Sequence, residues 1–164
     1  MQLSMKCSIA VHCLIFIWEA RGKVRVTSPL LSESTGCNPV VIRGILSALK
    51  KGGLITVERG KGGASLCRKP EEINLYEIYS ALEPEGLSSL IGIHPCEHRK
   101  CPIARNIRQV LELPYEKIEE SIRRTMMEIT LESMVEDYRR RAGEDMGGKD
   151  AKDDGDDGED GGNG

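Results

Sequence analysis

Apolar positions recur every three or four residues in several short runs, separated by proline, glycine and small polar residues. Ile9, Cys13, Phe16 and Ile17 fall on one stripe of a helix that Ser4 can cap and that Arg21-Gly22-Lys23 stops after Ala20. Ser28-Pro29 reads as a cap followed by a first-turn proline, and starts a second, short helix ending at Gly36. Asn38-Pro39 repeats that signal for a third helix, with Ile42, Ile45, Leu46 and Leu49 on one face. Lys50-Lys51-Gly52-Gly53 closes it, cations in the last turn and glycine after them. The pattern then changes to two β-prone runs, 54–58 and 64–68, around the tip Arg59-Gly60-Lys61-Gly62-Gly63. Asn74 caps a further helix over 75–82, whose Leu75, Ile78, Tyr79 and Leu82 should pack on the first helix.

Residues 83–102 carry three prolines and two glycines and read as irregular. Helical periodicity resumes at Ile103 with Ile107, Val110 and Leu111, and Pro114 either kinks this helix or opens a new one. Ile118, Ile122, Met126 and Ile129 continue it as a narrow seam suited to helix–helix pairing. Packing within one domain would also produce that seam. The charged remaining faces and the lack of a second core favour a dimer helix. Thr130 can cap a last helix over 131–141. Residues 142–164 are dominated by Gly, Asp, Glu and Lys, without apolar periodicity, and are expected to be disordered.

Charge changes the picture more than composition does. Residues 1–69 hold eleven Lys and Arg against three acids, a balance of +8; residues 70–143 hold ten against fourteen, −4; and residues 144–164 hold two against nine, −7. A basic first half on an acidic remainder suits a nucleic-acid-binding head with a separate partner-facing part. The acidic tail either shields that head or aids solubility, and solubility is the simpler reading. The 9–18 apolar stretch contains His12 and Cys13, is too short to span a bilayer and lacks a cleavage-type sequence, so a cytoplasmic location is expected. Six cysteines in that compartment should be thiols, metal ligands or redox groups rather than structural disulfides. No glycine-rich phosphate loop precedes a helix and no nucleophile–base–acid set is legible, so an enzyme is not expected.

Helix, turn, helix and basic hairpin describe a winged helix-turn-helix, a module that reads duplex DNA. The expected fold is mainly α with a small β-hairpin, the winged module being followed by a long C-terminal dimerisation helix. The third helix would lie in the major groove, leaving Asn38, Val40, Val41, Arg43, Gly44 and Ser47 on its outer side. Arg43 is the candidate for bidentate contact with a guanine, and Val40 or Val41 for contact with a thymine methyl. Gly44 is costly within a helix, which suggests close approach to something. Thr27 and Ser28, at the start of the second helix, could hold a phosphate. Arg59 and Lys61 at the wing tip carry the cations, with Arg59 suited to the minor groove. The alternative for each residue is ordinary surface, and for the tip glycines a loose turn. Cys7, Cys13 and Cys67 read as buried packing, with Cys37 at the turn before the reading helix.

The runs Met1–Lys6 (MQLSMK), Leu49-Lys50-Lys51-Gly52-Gly53-Leu54, Arg59-Gly60-Lys61-Gly62-Gly63, Pro70-Glu71-Glu72-Ile73-Asn74-Leu75 and Glu128-Ile129-Thr130-Leu131 resemble, in this order, the Rrf-two family of bacterial transcription regulators. That family includes the iron–sulfur cluster assembly regulator and the nitric-oxide-sensing repressor. The resemblance implies a winged helix-turn-helix homodimer on palindromic operators, with residues 1–82 as the DNA-binding domain, 83–102 as a sensor-type loop and 103–141 as dimerisation helices; a repressor is the role expected. It also implies that Arg59 is the wing arginine that enters the minor groove. Many relatives hold an iron–sulfur cluster on three cysteines in the sensor loop. Here the loop offers Cys96 and Cys101 only, and Ser8 stands where the nitric-oxide sensor's partner-chain aspartate would be. Substitute ligands would be His94, His98 or Cys7 from the partner chain. Three readings stay open. The loop is unliganded, with any effector a small molecule; or Cys96 and Cys101 form a thiol switch, helped by the neighbouring cations Arg99 and Lys100; or His94, Cys96, His98 and Cys101 hold a metal or cluster. The competing function is a metal or redox protein without a gene-regulatory role.

Overall fold

The computed structural model describes residues 5–58, 63–90, 92–95 and 100–147. Six helices and one hairpin follow in order: α1 (Met5–Ala20), α2 (Ser28–Thr35), α3 (Pro39–Lys51), β1 (Ile55–Val57), β2 (Ala64–Leu66), α4 (Leu75–Leu82), α5 (Pro102–Glu128) and α6 (Leu131–Gly147). Ser4, Gly60 and Gly62 lie outside the described residues.

Caps set most of these boundaries. Gly22 stops α1 in a left-handed conformation at φ 72°, and Gly36 does the same for α2 at φ 68°. Thr27, not Ser28, is the cap of α2: its backbone is extended and its Oγ1 accepts the Leu30 N–H, so Ser28 is already the first helical residue. Asn38 caps α3 by accepting the Val40 N–H at 2.8 Å. Asn74 and Glu77 cap α4 reciprocally, each side chain accepting the other's backbone N–H. β1 and β2 pair antiparallel, Ile55 opposite Leu66 and Val57 opposite Ala64.

One core joins the head to the far end of the chain. Cys7, Ala10, Cys13, Leu14 and Ile17 of α1 meet Leu31, the inner face of α3, Leu54 and Ile55, Ile78 and Tyr79 of α4, and also Met126, Leu131 and Val135. The buried stripe of α1 is therefore rotated from the expected one, with Ile9 and Phe16 only half-buried at its flank. Main-chain bonds reinforce the junction: Leu75 N–H donates to Ile129 C=O and Leu131 N–H to Ile73 C=O, each at 2.8 Å. Arg139 adds an ion pair with Glu19 at 2.8 Å, fixing α6 against α1.

Two further expectations are corrected, and the alternative left open at Pro114 is decided. A short 3-10 turn, Leu87–Leu90, interrupts the irregular segment. Pro114 sits inside one continuous helix of 27 residues, rather than opening a new one. The last helix runs on to Gly147, beyond residue 141, passing through Gly143 despite the helical cost of glycine. Residues 142–147 are thus helical rather than part of a disordered tail; residues 148–164 lie outside the described set.

Candidate nucleic-acid interface

The turn between α2 and α3 is held by its own polar side chains. Thr35 Oγ1 donates to Leu31 C=O and accepts the Cys37 N–H, while Ser32 Oγ donates to Cys37 C=O. Gly36 supplies the left-handed residue. Immediately afterwards Asn38 and Pro39 start α3, so the orientation of α3 is set within three residues of the turn.

α3 is sharply two-faced. Ile42, Ile45, Leu46 and Leu49 are buried, whereas Asn38, Val40, Val41, Arg43, Gly44 and Ser47 are all exposed, Val40 to 65%. An apolar side chain that exposed gains nothing from its own fold. A side chain at Gly44 would meet nothing within 4 Å, so no packing in the chain itself requires glycine there. Its helical cost, about 1 kcal/mol relative to alanine, has no internal offset.

Between α3, the start of α2 and the base of the wing lies a hollow of about 420 Å³. Thr27, Ser28, Arg43 and Ser47 all line it, so four of the residues singled out from sequence come together. Arg25 and Lys50 line it too, and the sequence reading did not single them out. Arg25 had no signal beyond the basic balance of the first half, and Lys50 stood out only as a cation closing α3 in the Leu49-Lys50-Lys51-Gly52-Gly53-Leu54 run, not as part of a site. Glu58 and Gly63 close the hollow on the wing side, where Gly63 C=O accepts the Glu58 N–H. Gly63 adopts φ 144°, and a Cβ there would lie 2.8 Å from Val26 C=O. Ala64 N–H donates to the same carbonyl at 2.9 Å. This wing glycine therefore serves packing of the hairpin against the α1–α2 linker. Arg59 and Lys61 lie outside the described residues.

The loop candidates are not assembled in the same way. His94 and Cys101 are both exposed, Cys101 as the residue preceding α5; Cys96, His98 and Arg99 lie outside the described residues. Among the described residues no three His, Cys, Asp or Glu side chains could hold a metal ion, so the donors seen here do not make up a cluster site. Cys7 faces its own core, which removes it as a ligand offered to a partner, and burial first, then the charge of Glu83, push its thiol pKa up. Burial likewise pushes Cys13 up to about 11, with the nearby Cys37 adding to the shift. Cys67 is exposed, contrary to the buried reading, because the chain bends away at the end of β2 and only its N–H returns, to Leu54 C=O. Ser8 is exposed and bonds to Met5 C=O.

The family profile Rrf2, described as an iron-dependent transcriptional regulator, matches residues 3–137. YwnA of Bacillus subtilis, named as a candidate HTH-type transcriptional regulator, is 27% identical over 133 residues, covering 81% of this chain and 96% of that protein. A solved structure from Lactobacillus plantarum, described as a candidate transcriptional regulator, superposes with a TM-score of 0.70 at 28% identity, covering 90% of this chain and 99% of that one. T. potens IscR shares the fold, with a TM-score of 0.62 at 24% identity over 84% of this chain and 88% of its own. Among the described residues no helix is long and apolar enough to cross a membrane.

Proposed function

The chain belongs to the Rrf2 family of transcriptional regulators, which are not enzymes, and from that premise we propose that it binds a palindromic operator as a homodimer and represses transcription. The observation that carries the DNA-binding surface is the hollow between α3, α2 and the wing. It gathers Arg25, Arg43 and Lys50 with the hydroxyls of Thr27, Ser28 and Ser47 on one side of the fold. Cations and hydroxyls together suit phosphate oxygens, while the exposed α3 positions Val40, Val41, Arg43, Gly44 and Ser47 reach base edges. Asn38 spends its Oδ1 on the cap, leaving its NH2 as the group free for DNA. In this reading Arg59 and Lys61, the cations of the Arg59-Gly60-Lys61-Gly62-Gly63 run, also contact DNA.

Residues 1–82 form the DNA-binding unit in this reading. Residues 83–102 form the signal input, where Cys101 offers an exposed thiol at the start of α5, and residues from 103 onward pair two copies. Support for pairing comes from α5, where Ile103, Val110 and Ile118 remain 73%, 63% and 45% exposed. A two-fold axis through such helices brings two identical heads onto a palindrome. Selection of bound duplexes from a random library, followed by affinity measurement on the enriched site, tests the proposal. Enrichment of an inverted repeat bound by two chains is expected. Failure to enrich any sequence at low salt, by reduced and oxidised protein alike, would exclude it. Repression is checked by a reporter behind the enriched site, whose output should rise when the protein is removed.

A further inference from the structure

A second hollow, of about 650 Å³, lies between α1, the end of α2 and α6, and shares no residue with the DNA-binding one. Two adjacent rows at four-residue spacing on α1 build it, Val11, Ile15 and Glu19 beside His12, Phe16 and Ala20. Its apolar members are half-buried, since they pack on the core from outside. Tyr138 lines it from α6 and is 47% exposed. The polar groups around it are unequally committed. His12 Nε2 and Ser34 Oγ bond each other at 2.9 Å. Arg139 reaches Glu19 from outside the hollow, and both contacts, 3.0 Å from Nε and 2.8 Å from Nη2, fall on Oε1. Glu19 Oε2 is thus left to accept from whatever enters. Among the described residues no lysine or arginine lines the hollow.

We propose that this hollow is an effector site for a lipophilic organic monocation, of the aromatic phosphonium or quaternary ammonium class. Its volume falls within the range of about 300–1,000 Å³ typical of small-molecule sites. The apolar body of such a cation covers Val11, Ile15 and the Phe16 ring. The π faces of Phe16 and Tyr138 attract its delocalised charge, and the Glu19 carboxylate supplies the counter-charge. An anion of the same shape meets Glu19 and no cation in the lining. A metal ion or polyamine finds one carboxylate, already shared with Arg139, and apolar walls that cannot replace its water.

The position of the hollow couples it to the reading helix. Ser34 sits in the last turn of α2, two residues before Gly36 and the turn that aims α3. α6 is anchored by Leu131 and Val135 in the core, so the wall that yields to a ligand is the end of α2. Displacing Ser34 from His12 therefore shifts the turn and the start of α3. This consequence for DNA rests on the DNA-binding reading above; the site itself does not.

Calorimetric titration of the full-length protein, without DNA and in sodium buffer, with tetraphenylphosphonium and with its isosteric anion tetraphenylborate tests the site. Saturable binding of the cation, one per chain, is expected, with the anion about tenfold weaker or more. Glu19→Gln should cost the cation about tenfold, and Tyr138→Ala should weaken it without touching the ion pair. Arg139→Gln breaks the same ion pair but leaves the whole carboxylate to the ligand, so it should bind the cation more tightly than the parent. Equal losses in Glu19→Gln and Arg139→Gln would mean that the ion pair only holds the fold, and would overturn the proposal. So would no binding, or equal binding of cation and anion. Binding confined to Val110→Glu/Ile118→Glu would also overturn it, because a second copy would then fill the hollow in the parent. Operator affinity of the parent saturated with the cation should fall about fivefold or more. Unchanged operator affinity with binding intact would remove the coupling to α3, so failure of the site and failure of operator recognition are read separately.

Discussion

Within the hollow, Arg43 and Lys50 carry the same charge but should fail in different ways. Arg43 is exposed at the centre of α3, and its planar fork can take two acceptors of one guanine. Arg43→Ala is expected to cost about 1–3 kcal/mol at one base position and to relax preference there. Lys50 lies in the last turn of α3 at the edge of the hollow. Lys50→Ala should weaken all sequences alike and flatten the salt dependence by about one ion. Affinity measured on the enriched operator and on its single-base variants separates the two, and uniform loss in Arg43→Ala would remove that residue from base reading. A different residue effect concerns pH. The Cys13 thiol is ordinarily 9.0 and is pushed up to about 11, first by burial and then by Cys37. Below about pH 9 both folded and unfolded chains keep the proton, and the stability is fully present. As pH rises from about 9 to 11 only the unfolded chain ionises, so about 2 kcal/mol should be lost there. Denaturant titrations at pH 8 and pH 10.5 should show the drop, and Cys13→Ala should reduce it. Individual positions were legible wherever the chain repeats a chemical pattern, as in the inner face of α3. Arg25 and Lys50 were not, because nothing in their neighbours along the chain says which groups lie beside them in space.

At the level of elements, α5 divides into an end buried in the shared core and a stretch left exposed, which the proposed dimer would cover. Met126 is 5% exposed in the shared core and Ile122 is half-buried near it, whereas Val110 and Ile118 face outward. Val110→Glu/Ile118→Glu should therefore split the dimer, seen by sedimentation, while leaving the thermal unfolding of the head nearly unchanged. Met126→Ala should instead destabilise the head by about 2–5 kcal/mol, since the surrounding core cannot fully close over the lost volume. If the double glutamate variant stays dimeric, α5 is not the pairing surface. Helix starts at Asn38 and Asn74 were readable because Asx–proline and Asn–x–x–Glu signals act locally. At Ser28-Pro29 the same signal was one residue off, since Thr27 also supplies a hydroxyl and takes the extended backbone a cap needs. Pro114 was undecidable from sequence, because a proline fits both a first turn and a kink. In the chain, helical residues on both sides carry it through. Cys67 was misread because an alternating strand pattern does not say where the strand ends.

Across the whole molecule the basic half and α5 share one core, so in the proposed dimer the spacing between two heads would be set by α5 and not by a slack linker. This makes the ionic response a measure of assembly. Five cations per chain belong to the proposed surface: Arg25, Arg43, Lys50, Arg59 and Lys61. Each phosphate neutralised releases a condensed counterion, and the slope of log K against log salt is about −0.9 per contact on duplex DNA. If all five engage phosphates, two heads on one palindrome give a slope of roughly −9, and one head gives half of that. Arg43 reads a base and Arg59 the minor groove in the same proposal, so the expected dimer slope falls to roughly −5 once both are removed from the phosphate count. The acidic residues of 148–164 enter the same balance with opposite sign. Ending the chain at Gly147 should leave this slope unchanged if the tail only aids solubility, and should raise affinity at low salt if it competes for the basic surface. Comparing the parent, the Val110→Glu/Ile118→Glu variant and the shortened chain on one operator fixes all three quantities. A parent slope no steeper than the monomeric variant's would mean that only one head engages, which a rigidly paired molecule on a palindrome does not allow.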